Sequence, residues 1–233
     1  MNDKSVLIGC PVRNRAWILP DYLESLENID YPSDKLNFCF IVNDSVDDTE
    51  SILNDFARRS YSPVQIVKTT ATNFNGHKRG AYRFEQLAKL RNMLLEKFYR
   101  SDCEYLLSVD SDILIPPDII NRLLSRNCQI ISALVCNGHH INDNSIYNVM
   151  KKTPAGSYQH IKDFSREGIF TVDVTGAAYM IHRSVIAEHK VYYSARFGGE
   201  DIGFCEAARA RGIPIYCDGT IECQHIMIEP GSQ

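Results

Sequence analysis

Apolar and polar positions alternate in a regular way along the N-terminal half of the chain. Apolar runs at residues 6–10, 38–42, 63–67 and 105–109 predict strands, and segments at about 18–26, 48–59 and 82–99 show the spacing of amphipathic helices. Asp47, Asp48 and Thr49 precede the second of these helices, where their oxygens can cap free backbone N–H groups. Strands that alternate with helices are typical of βαβ units. The pattern therefore predicts an α/β fold with a doubly wound, mainly parallel sheet.

The pattern weakens after residue 136. Short strand-like runs occur around 146–150 and 169–174, and a further run at 172–181 is interrupted by Gly176. A compact helix is predicted at 201–211, because Gly212 and Pro214 stop it. At 233 residues the chain is long enough for one sizeable domain. We therefore expect a single domain over residues 1–233, with a mainly parallel half at 1–112 and a mixed half at 113–233.

The composition excludes several classes of protein. Hydrophobic residues make up 44% and charged residues 23%, which is ordinary for a globular domain. A net charge of −4 gives no footprint for nucleic acid or for an anionic membrane surface. We see no leader peptide and no apolar run of membrane-spanning length, so we expect a cytoplasmic protein with no transmembrane segment. The eight cysteines form no CxxC pair, and we expect free thiols.

An acidic triplet, Asp110, Ser111 and Asp112, follows the predicted strand at 105–109 directly, and another apolar run succeeds it. Ligands of open α/β sheets lie outside the carboxyl ends of the strands, which is where this triplet falls. Two carboxylates between apolar segments need a cation or strong donors, and Mg²⁺ or Mn²⁺ with phosphate oxygens would satisfy them. The alternative is that Asp112 caps a turn and Asp110 makes a surface hydrogen bond, because so short a motif often matches by accident.

Further segments accompany the triplet in order along the chain. They are CPVRN at 10–14, IVNDSVDD at 41–48, KLRN at 89–92, VTGAA at 174–178, GED at 199–201 before a helix with Arg209 and Gly212, and ECQHI at 222–226. With the triplet they resemble the GT-A glycosyltransferases, especially family 2 and its relatives. The IDYP and DDTE segments are also similar to the Anp1-like mannosyltransferases and the procollagen galactosyltransferases. The resemblance implies the GT-A fold, with the donor bound by the first half and the acceptor by the second.

The resemblance also implies roles for individual residues. It assigns nucleotide-sugar binding to Pro11, Arg13, Asn14, Asp44, Lys89, Arg91, Asp110, Ser111, Thr175 and Gly176. It implies Mn²⁺ or Mg²⁺ as cofactor, with Asp110, Asp112 and His225 as ligands. It makes Asp201 the catalytic base, with Glu200 as a rival for that role. Arg13 stands where the family commonly has an aromatic residue, although a planar guanidinium can also stack on a base.

Several of these residues have a plainer interpretation from the sequence alone. Asp201 at a helix start can serve as a cap, and a histidine near the end of a chain, such as His225, is more often structural. Charged residues within a helix, such as Lys89 and Arg91, mostly form a solvated face. His77, Lys78 and Arg79 either cover phosphates or lie at the surface, and His139 and His140 are acceptor-loop or surface residues.

The sequence therefore predicts a metal-dependent glycosyltransferase. It would move a sugar from a nucleotide-diphosphate donor, a UDP-sugar first and a GDP-sugar second, to an acceptor hydroxyl with inversion. The acceptor stays open between a saccharide, a protein, a lipid-linked glycan and a small molecule. A sugar-nucleotide nucleotidyltransferase is one alternative, but the loop after the first strand reads PVRNRAW and has no glycine. A non-catalytic sugar-nucleotide or glycan-binding domain is another alternative. A Rossmann dehydrogenase lacks support, because no GxGxxG motif follows the first strand of this sequence.

Overall fold

Four parallel strands form the first half of the sheet in the computed structural model, which describes residues 3–70, 84–138 and 143–229. They are β1 (Val6–Val12), β2 (Leu36–Asn43), β3 (Val64–Thr69) and β4 (Tyr105–Val109), in the order β3-β2-β1-β4. Between them run α1 (Leu19–Glu27), α2 (Thr49–Arg59) and α3 (Phe84–Arg100). The parallel βαβ half is confirmed, and its elements lie within two residues of the predicted bounds.

The second half of the chain adds strands of both directions. In chain order its elements are β5 (Ile113–Leu114), α4 (Ile119–Ser125), β6 (Ile130–Val135), β7 (Met150–Lys152), β8 (Tyr158–His160), β9 (Ile169–Val172), β10 (Ala178–His182), α5 (Ser184–Ala187), α6 (Glu200–Arg209) and β11 (Ile215–His225). Strand β10 lies between β4 and β6 and is antiparallel to both. Strand β11 is parallel to β6 and antiparallel to β9 and β5. The predicted mixed half is therefore confirmed.

The central strands β1, β2, β4 and β6 bury both of their faces, because helices cover both sides of the sheet. On β1, Val6 and Ile8 pack with Tyr22 of α1, whereas Leu7 between them packs on the opposite face with Leu94 of α3. This burial explains why the strands read as continuous apolar runs rather than as alternating patterns. Among the described residues, no helix is long and apolar enough to cross a membrane.

The order of the strands creates a crevice at the carboxyl end of β1. Strand β2 lies on one side of β1 and β4 on the other, so the connections that follow the strands diverge there. The turns after β1 and β2 are tied together, since Val46 N donates to Asn14 Oδ1 at 2.9 Å and Asn14 N donates to Ser45 Oγ at 3.1 Å. Asn14 and Asp44 have φ of 49° and 46°, a left-handed conformation that Asn and Asp tolerate better than most residues. The turns after β1 and β2 therefore form one wall of the crevice.

Candidate functional site

The acidic triplet lies at the carboxyl end of β4, as the sequence predicts. Asp110 N donates to Ala177 O at 2.8 Å, and Ile113 N donates to Asp110 O at 2.9 Å, which closes a tight turn around Ser111. The side chains of Asp110 and Asp112 are 32% and 18% exposed, and Ser111 is buried. The turn sends the two carboxylates to different partners, so the triplet supplies two separate clusters.

The first cluster surrounds the guanidinium of Arg91, which α3 brings beneath the triplet. Arg91 Nη2 donates to both oxygens of Asp110, at 2.9 and 3.1 Å, and Nη1 donates to Ser108 Oγ at 3.4 Å. Its Nε donates to Glu200 Oε1 at 3.4 Å and lies 3.8 Å from Asp201 Oδ1. One buried positive charge therefore faces three carboxylates. We call these four charged residues, Arg91, Asp110, Glu200 and Asp201, the arginine cluster.

The second cluster surrounds the carboxylate of Asp112. Arg15 Nη2 lies 3.2 Å from Asp112 Oδ2, and His225 Nε2 lies 3.8 Å from Asp112 Oδ1. The two elements meet because β11 pairs with β5, which places His225 opposite Ile113, and Ile226 N donates to Asp112 O at 2.9 Å. The structure thus brings together two of the three metal ligands that the sequence predicts. The third, Asp110, has both of its oxygens bonded to Arg91.

The donor set around Asp112 fits a divalent ion. Adjacent ligands about 2.1 Å from one ion lie about 3.0 Å apart in octahedral geometry, so Asp112 Oδ1 and His225 Nε2, now 3.8 Å apart, would share an ion after approaching each other by a little less than about 1 Å. His225 Nδ1 lies 3.2 Å from Asn137 Oδ1, and in the tautomer in which Nδ1 donates to this oxygen, Nε2 has a lone pair for a metal. The described residues include no group of three or more His, Cys, Asp or Glu suited to a metal. Phosphate oxygens and water would therefore complete the coordination.

The charges of the two clusters also favour a cation. Four carboxylates, those of Asp110, Asp112, Glu200 and Asp201, lie against the two guanidinium groups of Arg15 and Arg91. With every group ionised, two negative charges remain. A divalent ion would balance both negative charges, whereas protonation of one carboxylate would balance one of them.

The pKa values of these carboxyls differ because their surroundings differ. Burial raises the pKa of Asp201 to about 7. The negative charges of Glu200 and Asp110 raise this pKa further, whereas the positive charge of Arg91 lowers it by less than these effects combined. Burial also raises the pKa of Asp110, although Arg91 opposes the shift. Burial acts on Asp112 in the same direction, but the neighbouring His225 and the positive charge of Arg15 hold its pKa below the ordinary value. One carboxyl is thus suited to exchange a proton near neutral pH and another to stay ionised.

Asp201 lies in the first turn of α6, but its side chain does not cap that helix. The N-cap residue is Gly199, and the Asp201 carboxylate faces the arginine cluster and the hydroxyl of Tyr179, whose oxygen is 3.4 Å from Asp201 Oδ1. Tyr179 is buried and also bonds the hydroxyl of Tyr193. The capping interpretation of Asp201 is therefore wrong. The structure leaves 26% of this side chain exposed, against 9% for Glu200.

Gly176 makes room for the Asp201 carboxylate. A Cβ at Gly176 would overlap Asp201 Oδ2, so any larger residue would displace the Asp201 side chain or the backbone at position 176. The backbone around Gly176 is fixed by Asn148, whose Nδ2 donates to Gly176 O at 2.9 Å and to Ala133 O at 3.0 Å. Thr175 is buried and donates to Ser132 Oγ at 2.7 Å. Thr175 and Gly176 thus shape the site from beneath.

The nucleotide-side residues lie on the other wall of the crevice. Pro11 is half-buried on β1 opposite Ile41, and Arg13 and Asn14 are half-buried in the turn that follows. Asp44 is half-buried in the turn after β2, which the contacts of Asn14 hold beside the first turn. These four residues are therefore neighbours, as their predicted role requires, and their contacts with a nucleotide stay a prediction.

Lys89 and Arg91 do not face the same way. Residues two apart on an α-helix point about 200° apart around its axis. Accordingly Lys89 is exposed on the outer side of α3, whereas Arg91 is buried in the arginine cluster. Arg91 therefore contacts protein carboxylates, whereas Lys89 points to solvent on the other side of the helix. His77, Lys78 and Arg79 and the pair His139 and His140 lie outside the described residues.

Several residues that contact the predicted site residues are not among the sequence predictions. They include Arg15 beside Asp112, Asn137 behind His225, Asn148 behind Gly176 and Tyr179 beside Asp201. Arg15 was recognisable, because it stands in the turn after the first strand. Asn137, Asn148 and Tyr179 give no local signal, since only the mixed pairing of the second half brings them to the site.

The fold defines a class of protein. A parallel half and a mixed half in one α/β domain form the GT-A fold of the glycosyltransferases that superpose on this chain. GalNAc-T7, solved with UDP, GalNAc and Mn²⁺, superposes with a TM-score of 0.72 at 13% identity, over 100% of this chain and 45% of that one. A mannosyltransferase from Pyrobaculum calidifontis, solved with GDP-Man and Mn²⁺, gives a TM-score of 0.64 at 17% identity, over 98% and 58%. The predicted GT-A fold is confirmed.

The family is shown by the sequence. The Anp1 family matches residues 1–158, so the chain belongs to the Anp1 family. It is also similar to human procollagen galactosyltransferase 2, with 24% identity over 242 residues that cover 93% of this chain and 37% of that protein. The chain spans about two fifths of the length of the curated relatives it matches. The predicted resemblance to Anp1-like proteins and procollagen galactosyltransferases is confirmed.

Proposed function

We propose that the chain is a metal-dependent glycosyltransferase. It moves a sugar from a nucleotide-diphosphate donor, a UDP-sugar in the first place and a GDP-sugar in the second, to an acceptor hydroxyl, and it inverts the anomeric configuration. The observation that carries the proposal is the pairing of Asp112 with His225 in the same cleft as Asp201, a partly exposed acid whose pKa is raised to about 7. The Mn²⁺ and nucleotide ligands of the two superposed glycosyltransferases support it.

Asp112 and His225 would hold the ion, Mn²⁺ or Mg²⁺, and Asn137 orients the imidazole for it. A divalent ion there would offset the charge that develops on the leaving diphosphate. Pro11, Arg13, Asn14 and Asp44 line the wall where the nucleoside would lie. Because Asp112 keeps a low pKa, it stays ionised at the pH where the enzyme works.

Asp201 would take the proton of the acceptor hydroxyl. A base is most effective when its pKa lies near the working pH, and the environment of Asp201 raises its pKa to about 7. Glu200 is less accessible and accepts from Arg91 Nε at 3.4 Å, so it serves better to position Arg91 than to meet an acceptor. The attack from the face of Asp201 displaces the diphosphate on the opposite face of the sugar ring, which is inversion.

The proposal is tested by turnover of sugar nucleotides. UDP- and GDP-sugars are incubated with the protein and Mn²⁺, and transfer or hydrolysis is measured by mass spectrometry. Asp112→Ala should abolish the turnover, whereas Asp55→Ala, which removes an exposed carboxylate on α2, should not change it. Turnover that persists in excess EDTA would contradict the metal dependence. Donor binding with neither transfer nor hydrolysis would contradict catalysis and favour a sugar-nucleotide-binding or glycan-binding domain.

A further inference from the structure

The two arginines of the site differ in how firmly they are held. Arg91 is 5% exposed, and its guanidinium is enclosed by Ser108 and the three carboxylates of the arginine cluster. Arg15 is 32% exposed, and among the described contacts its side chain makes one ion pair, with Asp112. Arg91 is therefore a fixed counterion. Arg15 lies at the rim of the cleft and is able to exchange partners.

The backbone of Arg15 is anchored although its side chain is accessible. Arg15 N donates to Thr49 Oγ1 at 2.7 Å, and the next amide, Ala16 N, donates to Asp47 Oδ2 at 3.0 Å. These bonds tie the turn after β1 to the start of α2. The long side chain then crosses the crevice from the nucleotide-side wall to the triplet. A change of partner needs only side-chain rotation, because the backbone stays in place.

The two oxygens of Asp112 have different partners. Oδ1 faces His225 Nε2 at 3.8 Å, on the side where an ion would bind, and Oδ2 accepts from Arg15 Nη2 at 3.2 Å. An ion held by Asp112 and His225 would lie beside the guanidinium, and like charges that share one carboxylate repel each other. A diphosphate offers the guanidinium a better partner, since its oxygens match the planar fork of arginine.

We propose that Arg15 is an exchangeable counterion of the donor site. It pairs with Asp112 when no donor is bound, and it transfers to the diphosphate when the donor and the metal ion bind together. The inference rests on the proposed function and adds a residue that contacts the donor. It has a consequence for binding order: Arg15 weakens the binding of the ion alone and strengthens the binding of the nucleotide that accompanies the ion.

The two effects have opposite signs, and binding measurements separate them without any turnover. Mn²⁺ binding to the protein alone is measured from the electron paramagnetic resonance signal of free Mn²⁺, and UDP and GDP binding at saturating Mn²⁺ is measured by calorimetry. The variants are Arg15→Gln and Arg15→Lys. The control, Arg100→Gln, removes an exposed arginine that pairs with Glu96 on the surface of α3.

Arg15→Gln should bind Mn²⁺ alone about 5- to 10-fold more tightly than the wild type, which is the lower part of the usual range for coupled sites. It should bind the nucleotide diphosphate roughly 10- to 100-fold more weakly, the loss expected for one charge-assisted contact. Arg15→Lys keeps the charge and should match the wild type in Mn²⁺ affinity while losing part of the nucleotide affinity. If Arg15→Gln does not fold, the nucleotide affinity of Arg15→Lys still tests the proposal. Arg100→Gln should match the wild type in both measurements.

Weaker Mn²⁺ binding by Arg15→Gln would overturn the proposal, because it would make Arg15 a support for the metal site instead of its competitor. Unchanged nucleotide affinity would overturn it as well. These outcomes differ from a failure of the proposed function, in which the wild type itself binds neither Mn²⁺ nor UDP nor GDP.

Discussion

Asp201→Asn should make the protein more stable at alkaline pH while it removes the catalytic base. The pKa of this carboxyl is raised by burial from 3.8 to about 7. The folded state therefore binds the proton more tightly than the unfolded chain does. The contribution of Asp201 to stability is fully present below about pH 4, is lost as the pH rises from about 4 to about 7, and stays lost above that.

The size of the effect follows from the shift. Each unit of pKa corresponds to about 1.4 kcal/mol, so about three units cost the wild type up to about 4 kcal/mol at pH 8. An amide at position 201 escapes this cost but stays partly buried, and we expect a gain of about half, about 2 kcal/mol. For a chain of this length that gain raises Tm by roughly 4–8 °C. The gain should shrink at pH 5, where the wild-type carboxyl keeps its proton.

Thermal unfolding in EDTA at pH 5 and pH 8 measures this gain. Asp112→Asn is the matched control with the opposite sign, because its carboxyl has a lowered pKa and its charge stabilises the fold. In turnover assays wild-type kcat/KM should rise with pH through about 7, and Asp201→Asn should lower kcat by about 10²- to 10⁴-fold. An Asp201→Asn variant that is less stable than the wild type at pH 8, or whose Tm difference does not depend on pH, would refute the reasoning.

Three further predictions concern the residues around the base and the metal ligands. Gly176→Ala should lower kcat by about 10²-fold and leave Mn²⁺ affinity unchanged, because the new Cβ overlaps Asp201; equal losses in both would contradict this. Arg91→Met should cost about 3–5 kcal/mol in urea unfolding at pH 8 and less at pH 5, since protonation relieves the unpaired carboxylates; a cost independent of pH would count against the arginine cluster. Asn137→Ala should weaken Mn²⁺ binding about 10-fold through the orientation of His225, and an unchanged affinity would argue against that role.

The first half of the fold could be predicted because each of its elements carries its own signal. The apolar run of β4 ends where Asp110 begins, and neighbouring parallel strands bring their carboxyl ends to one edge whatever the details of packing. The position of the triplet and of the turn around Asn14 therefore follows from local pattern and topology.

The second half of the site could not be predicted in the same way. Strand β10 enters between β4 and β6 in the antiparallel direction, and the sequence does not encode that pairing locally. The pairing brings Tyr179 to Asp201. Similarly, helical periodicity separates Lys89 from Arg91, but it does not reveal that Arg91 points inward to three carboxylates rather than outward to water. Buried ion pairs of this kind depend on tertiary contacts.

Strand β11 changes register between Asp218, which pairs with Ala133, and Glu222, which pairs with Leu134. Asp218 is fully buried in this irregular stretch and is held by Arg126 Nε at 2.7 Å and Thr220 N at 2.9 Å. Beyond the bulge β11 pairs with β6 through Glu222 and Cys223 and then carries His225 to Asp112. The metal side of the cleft therefore depends on the register of β11 after the bulge, whereas Asp201 of the base side is carried by α6. A change in the length of the bulge should shift His225 along β6 and leave the position of Asp201 on α6 unaltered.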